Sequence, residues 1–98
     1  MPTNITQVED IENERTILRV EGEMLREDAL LIERIGIAIQ AEMGLSVAID
    51  LADLDLLDSE SASVLKRLET EHGFEILGME IFLQTTVNEV EKRSGGNL

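Results

Sequence analysis

From Arg15 to Glu21 the chain alternates, with Thr16, Leu18 and Val20 on one face and Ile17, Arg19 and Glu21 on the other. That two-residue period is the mark of a half-buried strand. Ahead of it, Ile5, Val8 and Ile11 outline a less regular strand, and Glu12-Asn13-Glu14 reads as the turn of a hairpin joining the two. Gly22 is expected to end the second strand. The period then lengthens. Leu31, Ile35, Ala38 and Ile39, with Ile32 and Met43 beside them, recur at helical spacing and predict a helix over Asp28–Met43, stopped by Gly44. Leu30, Ile37 and Ala41 form a second apolar strip roughly opposite Ile32 and Ile39. This strip is either a contact surface, for a partner or for a second copy of the chain in a homodimer, or a set of scattered exposed aliphatics.

Ser46–Leu51, SVAIDL, is short, apolar and β-branched, which predicts a strand buried on both faces. Leu54-Asp55-Leu56-Leu57 reads as a connection to Asp58, after which a helix is expected over Ser59–His72 with Ala62, Leu65 and Leu68 on its core side. Gly73 closes it, Phe74–Met79 reads as another buried strand, and Glu80–Lys92 as a last helix with Leu83, Val87 and Val90 on one side. Residues 93–98 form a tail. The order β-β-α-β-α-β-α places this chain in the α/β class: a mixed four-stranded sheet, its helices packed largely against one face, in a single domain spanning 1–98.

Charge narrows the function. The 98 residues carry 21 acids against 8 Lys+Arg, a formal net charge of −13. Phosphate backbones and anionic lipid surfaces repel such a chain. With two Phe and no Trp or Tyr it also lacks platforms for stacking bases, so nucleic acid is not an expected partner. It has no cysteine, which excludes disulfides and thiolate metal sites. Met-Pro-Thr-Asn opens no basic and apolar leader, and no apolar run reaches the length of a membrane span. The expectation is a cytoplasmic protein with no direct membrane insertion.

Catalytic chemistry finds little support. His72, the only histidine, falls at the end of the second predicted helix and the serines at its start. About 13 residues at ~1.5 Å rise separate those ends by roughly 20 Å, far outside hydrogen-bond reach. The acids Asp50, Asp53, Asp55, Asp58 and Glu60 are interrupted by Leu54, Leu56 and Leu57 and include no central Gly, unlike a calcium loop. They read as helix caps and solvated loop positions. No catalytic residue, metal ligand or cofactor is expected. The serine-rich stretch LLDSESASVL is more informative. Asp58 suits an N-cap, and Ser59 then lies in the first helical turn, where unpaired N–H groups and the positive dipole end tolerate an added anion.

VAIDLADLDLLDSESASVLKRL resembles the central signature of STAS domains, the anti-sigma-factor antagonists and the cytoplasmic domains of sulfate transporters. Asp50-Leu51 matches the end of the family's strand and Asp58-Ser59 its switch dipeptide, while Glu60 replaces a second hydroxyl and Ser61 stands in a Gly slot. LRVEGEM resembles the family's second strand, and HGFEILGMEIFLQTTVNEVEK its last strand and helix, so the resemblance covers nearly the whole chain. It implies the STAS fold and a bacterial regulatory module that binds an anti-sigma factor with serine kinase activity, or a related regulator. In that case Ser59 is phosphorylated, Ser61 is a second acceptor, and Asp58, Ser59, Glu60 and Ser61 contact the partner. The alternative it implies is a non-phosphorylated STAS accessory subunit of a membrane transporter, of the ABC lipid-trafficking kind.

Overall fold

The computed structural model, which describes residues 3–80, begins with the expected hairpin. β1 (Asn4–Asp10) pairs antiparallel with β2 (Arg15–Met24), with Asp10 opposite Arg15 at the turn. β2 does not end at Gly22. This residue, at φ 85°, accommodates a register shift between Gly22 and Glu23, and the strand runs on to Met24. α1 (Arg26–Met43) then leads to β3 (Ser46–Asp50), which returns parallel to β2, with Thr16 opposite Val47 and Leu18 opposite Ile49.

The next segment departs from the sequence reading. Leu54–Leu57 is a strand, β4, and pairs parallel with the last residues of β2, Glu23 opposite Leu56 and Met24 opposite Leu57. Leu54 is buried at 3% exposure, while Asp55 and Leu56 are exposed. The flanking acids disguise a strand too short to show a period. α2 (Ser59–His72) follows, and β5 (Glu75–Leu77), shorter than the expected Phe74–Met79, pairs parallel with β3. The sheet therefore has five strands rather than four, in the order β1-β2-β3-β5 with β4 on β2. The helix expected over Glu80–Lys92, with Leu83, Val87 and Val90, and the tail 93–98 fall from residue 81 onward outside the described residues.

α1 packs on β2 and β3, α2 on β5, and the two helices on each other. Leu18, Val20 and Met24 of β2 and Val47 and Ile49 of β3 meet Ile32, Ile39, Val64, Leu65 and Leu68 in one core. The centre of β3 is buried on both faces, as its lack of alternation predicts: Val47, Ala48 and Ile49 are all 1% exposed or less. Arg15 reaches from β2 to Glu75 of β5 at 2.7 Å while its Nε holds Asp10 of β1 at 2.8 Å, spanning the small Ala48.

Both helices present a different face to the core than their aliphatics suggest. α1 buries Ala29, Ile32, Gly36 and Ile39, while Leu31, Ala38 and Met43 are exposed and Ile35 is half-buried. Gly36 sets this rotation. A β-carbon there would lie 2.5 Å from Cε2 of the buried Phe74, so the missing side chain makes room for the ring. α2 turns Ser61 and Val64 inward with Leu65 and Leu68, and leaves Ala62 exposed.

Candidate functional site

The N-termini of α1 and α2 meet beside the end of β2, and the residue that joins them is Asp58. α1 begins after Leu25, whose side chain offers no acceptor to the first free N–H groups. Asp58 supplies one from the other helix. Its Oδ1 accepts the Ser61 backbone N–H at 2.7 Å, capping α2, and its Oδ2 accepts the Arg26 backbone N–H at 3.2 Å, capping α1. Its own backbone N–H donates to the Met24 carbonyl at 3.3 Å. Hydrogen bonding from Ser61, whose backbone N–H reaches Oδ1, and from the Arg26 N–H holds the Asp58 carboxyl below its ordinary range, against an opposing effect of burial.

Ser61 completes the knot. It is fully buried, and its hydroxyl donates to the same Met24 carbonyl at 3.0 Å. A hydroxyl has a single proton, and the geometry directs it to Met24 rather than to Asp58. Ser61 is thus not displayed to solvent, and the expectation that it serves as a second phosphoryl acceptor or touches a partner is corrected by this burial. The sequence hides the fact, because the direction α2 turns inward depends on the carbonyl it finds there.

Ser59 differs in every respect. It is exposed at the first residue of α2, and its carbonyl accepts the Ser63 hydroxyl at 3.3 Å. Glu60 beside it is also exposed, 3.9 Å from the Arg26 guanidinium. An open cleft of about 660 Å³, lined by Glu23, Arg26, Glu27, Asp58 and Glu60 among others, adjoins this corner. Leu25, 42% exposed, lines it, and Leu56, 48% exposed, lies on β4 opposite the lining residue Glu23. The sequence reading missed both, since Leu56 acquires its place only through β4.

Two of the other acids have structural partners. Asp50 accepts the Ala52 N–H at 3.0 Å, and Asp53 pairs with Arg19 at 2.6 Å. His72 lies at the far end of α2 from Ser59, with its carbonyl accepting from Gln40 at 3.0 Å and its ring 5.7 Å from that of Phe74. On the second strip, Leu30 packs against the core as a half-buried residue, while Ile37 and Ala41 are exposed. No helix among the described residues is long and apolar enough to cross a membrane.

No family model matches the sequence, and no curated protein matches it. Solved structures do match. An antisigma-factor antagonist STAS domain from Rhodobacter sphaeroides superposes with a TM-score of 0.58 at 21% identity, over 81% of this chain and 89% of that one. An uncharacterized protein with a SpoIIAA-like fold from Shewanella loihica gives 0.56 at 18% identity, over 76% of this chain and 65% of that one. The anti-sigma factor antagonist SpoIIAA in its unphosphorylated form gives 0.54 at 14% identity, over 71% and 62%. The hairpin, the parallel crossovers and the two helices capped at one corner thus make up the SpoIIAA-like fold of STAS domains.

Proposed function

We propose that this chain is a regulatory protein-binding module whose partner is exchanged by phosphorylation of Ser59. The observation that carries the reading is the contrast at one corner: Ser59 is exposed, while its neighbours Asp58 and Ser61 hold both helix ends and the end of β2. A hydroxyl so placed is offered on a rigid platform. The fold it shares with proteins described as anti-sigma-factor antagonists, one of them in an unphosphorylated form, supports a protein partner of the regulatory kind, an anti-sigma factor with serine kinase activity or a related regulator.

Physical chemistry indicates how the switch would work. The helix N-terminus favours a phosphate on Ser59, and the Asp58 and Glu60 charges oppose it by a comparable amount in water. The fold is left nearly unchanged. A partner seated over Leu25, Leu56 and Ser59 would instead have to desolvate or pair about two added negative charges. Control is therefore by blocking an interface, and the module binds rather than catalyses. Affinity purification with phosphosite mapping, followed by binding of Ser59 variants, tests this. Ser59→Asp is expected to retain the native fold and lose the partner, and Ser59→Ala to bind constitutively. If both bind as the parent does and Ser59 carries no phosphate, the proposal fails and the accessory-subunit reading replaces it.

A further inference from the structure

The outer face of α1 contains an arginine in unusual surroundings. Among the described residues Arg15, Arg19, Arg26 and Arg67 each face a carboxylate. Among the same described residues Arg34 faces none. Its neighbours one turn away on the helix surface are all apolar: Leu30 and Leu31 on one side, Ile37 and Ala38 on the other. Leu31 is 43% exposed and Ile37 38%, and Ala38 and Ala41 are exposed as well. An arginine ringed by exposed aliphatics is the composition of an interface centre rather than of a solvated face.

The spacing along the helix identifies the occupant. Arg34 and the exposed Glu42 lie at equal distances on either side of Ala38, on the same outward side of α1. Two copies of α1 crossing antiparallel at Ala38 bring each Arg34 opposite the other's Glu42, and each Ala41 opposite the other's Ile35. The small Ala38 and Ala41 side chains permit the close approach of helix axes that such packing needs. A two-fold axis requires this self-complementarity, in which every contact occurs twice. We propose that the outer face of α1 is the interface of a symmetric homodimer, centred on Ala38 and fixed by two Arg34–Glu42 pairs between copies. The face lies apart from the Ser59 corner, so the dimer stands or falls independently of the switch.

Two subunits of net charge −13 repel each other at long range, whereas an ion pair covered by the interface is screened much less. Raising the ionic strength therefore strengthens the dimer. Sedimentation equilibrium on the full chain reads the association, with circular dichroism confirming the fold of each variant. The parent is expected to dimerise with rising concentration and more tightly in raised salt. Arg34→Glu and Glu42→Arg should each raise the dissociation constant about tenfold or more, and the double variant Arg34→Glu/Glu42→Arg should recover most of the loss. A parent that stays monomeric to about 1 mM in raised salt overturns the proposal, because an interface weaker than that is no specific assembly. So does a folded double variant that associates no better than either single one.

Discussion

At the scale of single residues, a conservative change at each of the two serines has a different consequence. Ser61→Ala removes a buried hydrogen bond and should cost about 1 kcal/mol in denaturant unfolding, whereas Ser59→Ala should stay within about 0.5 kcal/mol of the parent. Asp58→Ala leaves the Ser61 and Arg26 N–H groups without their acceptor, although Asp28 still accepts the Leu25 N–H at α1, and should lower the melting temperature clearly, and Asp58→Asn, which keeps a capping oxygen, should lower it less. The pH dependence has a definite sign. A carboxyl held below its ordinary value of 3.8 contributes its stability above that value and loses it as pH falls through the lower folded value. Thermal unfolding between neutral pH and pH 3 should show that acid-side loss shrinking in Asp58→Asn. Asp58 and Ser59 are readable from sequence because capping is a local rule. The inward turn of Ser61 is not, since it answers to a carbonyl thirty-seven positions away in the chain.

At the scale of elements, β3 was the easiest to read and should be among the costliest to damage. Ile49→Ala is expected to destabilise by about 2–4 kcal/mol, and the amides of residues 47–50 should exchange slowly in the native state. The face of α1 was harder to read. Leu30, Leu31, Ile32, Ile35, Ile37 and Ile39 surround the helix, so period alone leaves its rotation open. The decisive contact is Gly36 with Phe74, two residues that no local window contains. Gly36→Ala should cost about 1–3 kcal/mol by overpacking. Combined with Phe74→Leu, which frees space, it should cost less than the sum of the two single changes in a double-mutant cycle. β4 escaped notice for a related reason, because four residues between acids show no period until β2 supplies a pairing edge.

For the whole molecule, the excess of acids dominates. A chain at −13 repels itself in the compact state, so its melting temperature should rise between low salt and about 0.2 M sodium chloride. A flat or falling curve would mean that ion pairs such as Arg15 with Asp10 and Glu75 outweigh the general repulsion. The sheet topology was largely legible at this scale. A hairpin followed by βα units allows few arrangements once crossovers are right-handed and strands of one unit are parallel.

The shared carboxylate of Asp58 also makes two amides into a matched pair of reporters. Arg26 and Ser61 belong to different helices, yet their N–H protons end on the two oxygens of one side chain. In a two-dimensional nitrogen–proton spectrum, both cross-peaks should move along a single acid titration curve with one midpoint, because one proton governs both. A phosphate arriving on Ser59 should likewise perturb the two signals together, giving an optical-density-free readout of the corner from either helix. Separate midpoints would mean that the two helices are capped by separate groups.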